Sequence, residues 1–216
     1  MAQLVPSILE TSKEAFLHTY SQEVKLPGVS RIQVDFGDGI FVPNKMLPVE
    51  EIDLLNPAIS WEAHLMIKSP RDFLDYQICG FKTIIVHYEA YPNEAELKEA
   101  ILKIKSMGLE PAVAIKNETP IQVLASLVGN IQHIQIMSVK PGFQGSAFME
   151  DTYERIAAAR QLLPHAVIEV DGGINLDNAK KVAAAGADYL ILGAAITKAP
   201  SMSEAFEKIQ SELNKN

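Results

Sequence analysis

One cysteine, Cys79, stands among the 216 residues, which excludes an intrachain disulfide and a cysteine-built zinc cluster and suits a reducing compartment. Its expected role is that of a small buried apolar side chain. Positive charge is in short supply. Nineteen Lys and Arg face 27 Asp and Glu, a net charge of −8, so no general field draws in nucleic acid or anionic lipid. An anionic ligand must be held by local devices such as backbone amides. No segment approaches the roughly 20 apolar residues of a membrane span, and the opening MAQLVPSILE lacks the basic region, apolar stretch and cleavage site of a leader. A cytoplasmic protein without membrane or nucleic-acid partners is expected. Low-complexity runs, linkers and composition breaks are missing too, which predicts a single domain over residues 1–216. With 48% apolar and 21% charged residues, the chain can bury a sizeable core.

Short β-branched runs alternate with longer segments of helical period. Strands are predicted at Leu4–Leu9, Arg31–Phe36, Trp61–Ile67, Thr83–His87, Glu110–Ile115, His133–Met137, Val167–Val170 and Tyr189–Leu192. Helices are predicted at Ser12–Gln22, Pro70–Ile78, Glu94–Met107, Pro120–Leu127, Met149–Leu163, Leu176–Ala185 and Ser203–Leu213, with a short or irregular one at Val49–Asn56. Eight strand–helix units of roughly 27 residues match a (β/α)₈ TIM barrel, an α/β fold, near its minimum length. A doubly wound open sheet is the alternative, disfavoured because no G-x-G-x-x-G follows the first strand.

In a barrel, alternate side chains of each strand point inward. That places Gln33 and Asp35 of RIQVDFGDGIFVPN inside, and Ile32, Val34 and Phe36 against the helices. The same alternation puts Glu62, His64 and Met66 of WEAHLMI inside, with Glu169 and Asp171 of VIEVD. One buried Asp, or one His on an apolar strand, is usually a satisfied structural residue. Two Asp and one His at equivalent strand ends are different, because two buried carboxylates need a cation, a shared proton or a chemical use. Gly172-Gly173 follow the seventh strand and Gly193-Ala194 the eighth, the loops that commonly cradle phosphate in barrels. Glycine lets backbone amides approach the oxygens closely.

The blocks VPSIL, QVDFGDGIFVPN, EAHLMIKSP, IQIMSVKPGFQGSAFM and IEVDGGINLDNAKKVAAAGADYLILGAAI resemble, in order and over nearly the whole chain, those of the ribulose-phosphate 3-epimerase family. The resemblance implies interconversion of D-ribulose 5-phosphate and D-xylulose 5-phosphate by inversion at carbon 3. Asp35 and Asp171 match the family's catalytic carboxylates, one for each face of a planar enediolate. They match metal ligands as well, together with His64; the implied ion is Zn, Fe, Mn or Co, acting as a Lewis acid. His64, Ser7, Met66 and Met137 match residues around the substrate, the thioethers giving a water-poor enclosure. Pro141-Gly-Phe-Gln-Gly145 resembles a loop that closes over substrate, which makes Gly142, Gln144 and Gly145 candidate contacts beside the phosphate candidates Gly172, Gly173, Gly193 and Ala194.

Several positions depart from the family pattern. Gln33 stands where the family has a histidine ligand, so any metal is expected to bind weakly or to be dispensable. Gly37 replaces a methionine, which predicts an enlarged pocket, and Ala194 replaces a serine. An epimerase for a related ketose phosphate such as allulose 6-phosphate, or a phosphosugar-binding protein without turnover, stays open. A Schiff-base aldolase using Lys116 or Lys140 is disfavoured. The sequence leaves a homo-oligomer open.

Overall fold

The computed structural model describes residues 2–142 and 145–215. Eight parallel strands, β1 (Gln3–Ile8), β2 (Arg31–Gly37), β3 (Ser60–Met66), β4 (Thr83–His87), β5 (Glu110–Ile115), β6 (His133–Met137), β7 (Val167–Asp171) and β8 (Tyr189–Leu192), pair in chain order. The pairing of β1 with β8, Val5 beside Ile191, closes the ring and excludes the open sheet.

The α-helices are α1 (Lys13–Glu23), α2 (Leu74–Cys79), α3 (Glu94–Ser106), α4 (Thr152–Leu162), α5 (Ala179–Ala185), α6 (Ala194–Thr197) and α7 (Met202–Leu213). Side-chain oxygens of Ser12, Asn93 and Ser201 accept from the first-turn amides of α1, α3 and α7, satisfying groups that the helix leaves unpaired. The short or irregular helix expected at Val49–Asn56 is the 3-10 turn Val49–Glu51, and one crossover departs from expectation: Ile121–Leu127 forms 3-10 turns rather than α-helix. Between Pro120 and Gly129 there is room for only two turns, and Ile121 and Val123 are poor helix formers, so the tighter winding spans the gap. The short α6 and the 3-10 turn Tyr88–Ala90 carry too few residues for a periodic signal.

Period-2 alternation sorts the side chains as expected. Ile32, Val34, Phe36, Ala63, Leu65, Ile134, Ile136, Ile168 and Val170 join the main buried cluster between barrel and helices. Inside the barrel Ile85, Ala112 and Ala114 form a separate apolar cluster. Most of the interior is polar. Gln33, Glu62, His64, His87, His133, Gln135 and Glu169 are all at most 1% exposed, a costly arrangement unless each group is paired or used.

Candidate active site

Register brings the site together at the C-terminal mouth. Asp35 is the lateral partner of His64 on β2 and β3, and Met137 that of Asp171 on β6 and β7. His64 Nδ1 lies 2.7 Å from Asp35 Oδ1 and 3.3 Å from Asp171 Oδ2. Gln33 sits beneath and between them: its amide nitrogen donates to Asp35 Oδ1 at 2.9 Å and to Asp171 Oδ2 at 3.1 Å. A second amide, Gln135 Nε2, donates to the same Asp171 oxygen at 3.0 Å.

Burial, opposed by the His64 hydrogen bond but reinforced by the charge of Asp171, raises the pKa of Asp35. Burial pulls His64 down, yet its bonds to Asp171 and Asp35 prevail and hold it at about 9. The other face of His64 is also engaged. Its Nε2 lies 2.9 Å from His87 Nε2, and His87 Nδ1 lies 3.4 Å from Glu89 Oε2. Burial keeps His87 near 4 and therefore neutral, so His64 Nε2–H donates to it and His87 Nδ1–H donates to Glu89. Glu89 is anchored by the Lys116 amide at 2.8 Å and by the Thr119 hydroxyl.

The cleft is lined by Ser7, Asp35, His64, Met66, Met137, Asp171 and the glycines 142, 145, 172, 173 and 193, with Ala194, Leu9, Val139 and Ile191 among its further walls. Gln144 lies outside the described residues. Two glycines are demanded by the backbone. Gly172 has φ +117° and a Cβ there would come within 2.3 Å of Val139; Gly173 has φ +64° and a Cβ would meet the Phe148 backbone at 2.9 Å. Ser138, which accepts no side-chain role in the sequence reading, donates its hydroxyl to the Asp171 carbonyl at 3.0 Å and so fixes the end of β7.

Gly37 does not enlarge the pocket. A Cβ there would lie 2.8 Å from the Asn44 carbonyl and 3.2 Å from Met46 Cγ. Met46 and Val42 fill that side and pack with Met66, so a loop thioether takes space that a strand side chain would need. Asp38, in the same GDG turn, receives amides of Ile40, Phe41 and Lys68, each at 2.8 Å, and is a loop organiser. Lys116 has its ammonium 3.9 Å from the Phe41 ring centroid. No lysine is among the described residues lining the cleft, which leaves a Schiff base without a nucleophile there.

Asp35, His64 and Asp171 offer ligand atoms within 4.8 Å of one another, an N/O set that suits a divalent transition ion. Gln33 fits less well, since it presents its donor nitrogen to the group, while its Oε1 has no hydrogen-bond partner. A half-turn of the amide would offer that oxygen as a fourth ligand. Sequence reasoning passed over Gln135, His87 and Glu89, although the inner-face alternation that found Asp35 applies equally to β4 and β6.

The model of the Ribulose-phosphate 3 epimerase family matches residues 3–197. The chain belongs to that family. It is an isomerase of the epimerase type. Ribulose-5-phosphate-3-epimerase of Arabidopsis thaliana, the chloroplastic protein, is 33% identical, covering 95% of this chain and 75% of its own length. Ribulose-phosphate 3-epimerase of Eremothecium gossypii is 30% identical over 97% of this chain and 92% of the relative, and that of Bacillus subtilis 29% identical over 97% and 99%. Among solved structures, 3-hexulose-6-phosphate synthase from Salmonella typhimurium superposes with a TM-score of 0.73 at 18% identity, 98% of each chain being covered, a likeness of fold alone.

Proposed function

We propose that the chain interconverts D-ribulose 5-phosphate and D-xylulose 5-phosphate, with Asp35 and Asp171 as the acid–base pair. The observation that carries this reading is that two carboxylates from distant strands share one amide group and one imidazole at the base of a cleft with glycine-rich turns. One carboxylate takes the carbon-3 proton, the C–H electrons move into the carbon-2 carbonyl to give an enediolate, and the other carboxyl returns a proton to the opposite face. That division needs one ionised and one protonated member. The raised pKa of Asp35, set by burial and by Asp171, suits it to hold the proton.

Gln33 and His64 hold the two carboxylates in place, and Gln135 adds a donor to Asp171. His87, itself held by Glu89 through Nδ1, positions His64 by accepting from its Nε2–H, which aims Nδ1 at the carboxylates. Met66, Met137, Leu9 and Ile191 keep water from the planar intermediate. Amides around Gly172, Gly173, Gly193 and Ala194, with Gly142, Gly145 and the loop residue Gln144, receive the phosphate; Ser7 faces the sugar. A divalent ion, Zn, Fe, Mn or Co, would be held by Asp35, His64 and Asp171, with Gln33 after rotation, and would supply Lewis-acid stabilisation of the enediolate oxygens. One barrel domain for the whole chain, in a cytoplasmic setting that suits the buried Cys79 thiol, completes the reading.

Steady-state turnover of D-ribulose 5-phosphate against D-allulose 6-phosphate tests the substrate. Because Met46 and Val42 close the side beside Gly37, the pentulose is expected to have the higher kcat/KM. A preference for the hexulose would transfer the assignment to the larger sugar.

A further inference from the structure

The barrel floor holds a second convergent group that the cleft chemistry does not use. Glu62 of β3, His133 of β6 and Glu169 of β7 are each at most 1% exposed, and none of them lines the cleft. Their ligand atoms lie within 4.8 Å of one another.

The inner and outer atoms of these side chains differ in a telling way. On the outside, Glu62 Oε1 is paired with Arg31, whose guanidinium rests 4.6 Å from the Tyr189 ring centroid. His133 Nδ1 lies 3.2 Å from Glu110 Oε1, and the other Glu110 oxygen accepts from Thr83 at 3.2 Å. On the inside, Glu62 Oε2, both oxygens of Glu169 and His133 Nε2 have no hydrogen-bond partner. His133 Nε2 and Glu169 Oε1 lie 3.1 Å apart, within ion-pair distance and at a spacing that two ligands of one centre also have. An imidazole that gives one nitrogen to a carboxylate and leaves the other facing two carboxylates has the supporting arrangement of a metal-ligating histidine.

We propose that Glu62, His133 and Glu169 form a structural site for one divalent transition ion, separate from the cleft and clamping β3, β6 and β7 at the floor of the barrel. Two carboxylates and one imidazole favour Zn²⁺, Mn²⁺, Fe²⁺ or Co²⁺ over Ca²⁺ or Mg²⁺. Because the ligands are enclosed and capped by Arg31, the ion is taken up as the chain folds.

The test unfolds the protein in guanidinium with chelator, refolds it with excess Mn²⁺ or, separately, Zn²⁺, desalts it and counts ions per chain by mass spectrometry. Crystals of the same unmodified protein are then mapped at the metal absorption edge. The expected result is an anomalous peak between Glu62, His133 and Glu169, and one ion fewer per chain in Glu169→Gln and in His133→Gln, whose floor affinity falls on the order of 10²-fold or more. Cleft occupancy and epimerase turnover persist in both variants. An anomalous map with no peak at the floor would overturn the proposal, as would ion counts unchanged in both variants; the first outcome means that His133 and a proton shared by the two glutamates neutralise the floor instead. If a variant does not fold, the map of the unmodified chain decides.

Discussion

Replacing Gln33 by Leu leaves an apolar side chain one bond shorter and deletes the amide that joins the two carboxylates. In the metal-free chain that amide gives one N–H to Asp35 at 2.9 Å and one to Asp171 at 3.1 Å. Hydrogen bonds to charged groups contribute roughly 1.5–3 kcal/mol each, so an upper bound for the pair is about 6 kcal/mol. Two things reduce it: Asp171 retains Gln135 and both retain His64, and the dyad can relieve its repulsion by taking up a proton. A loss of about 2–4 kcal/mol is therefore expected for Gln33→Leu at pH 8. The pH dependence has a definite sign. Without the amide the folded-state carboxyl pKa rises further above its unfolded value, so the deficit is full above that raised pKa and shrinks as pH falls through it. Urea unfolding with chelator present, at pH 8 and pH 5, measures both features. A deficit below about 0.5 kcal/mol, or one that does not shrink at the lower pH, would refute the bridging role of Gln33.

Other outcomes follow from the same geometry. Asp35→Asn and Asp171→Asn should each lower turnover at least about 10²-fold while sparing inorganic phosphate binding; near-normal turnover in either removes that residue from the mechanism. Gln33→His should bind zinc about 10²-fold more tightly than the unmodified chain, read by competition with a chromophoric chelator; equal affinity would mean that the amide already serves as a full ligand. His87→Phe should lower kcat more than it raises KM and weaken Mn²⁺ binding about 10- to 100-fold, with partial recovery in His87→Gln, which can still accept a hydrogen bond. Unchanged Mn²⁺ affinity in His87→Phe would reduce His87 to packing.

The barrel was legible because its parallel strands read as β-branched runs with inward polar interruptions, and the same alternation named Asp35, His64 and Asp171 before any coordinates. What escaped has physical reasons. The 3-10 turn at Ile121–Leu127 carries the same period-like apolar spacing as an α-helix over so short a span. Gly37 suggested open space because sequence cannot show that Met46 and Val42, nine and five residues further along, fold back over it. The family pattern marks Gln33 as a doubtful ligand, and its register between Ser7 and Glu62 adds what sequence does not show, that its amide bridges two carboxylates. His87 closes β4, where its inward neighbour Ile85 is apolar, and Glu89 lies beyond the strand in the 3-10 turn Tyr88–Ala90, so period 2 marks His87 as one isolated polar residue. Tertiary closure supplied the cluster.

The central claim is that Asp35 and Asp171 invert carbon 3 by removing and returning a proton on opposite faces. Incubating the protein, supplied with divalent metal, with D-ribulose 5-phosphate in heavy water and following carbon 3 by NMR tests it most directly. Solvent deuterium is expected to enter carbon 3 as D-xylulose 5-phosphate forms, and the exchange is expected to collapse in Asp35→Asn and Asp171→Asn. Folded, metal-supplied protein that produces no exchange with this or any other ketose phosphate would contradict the account.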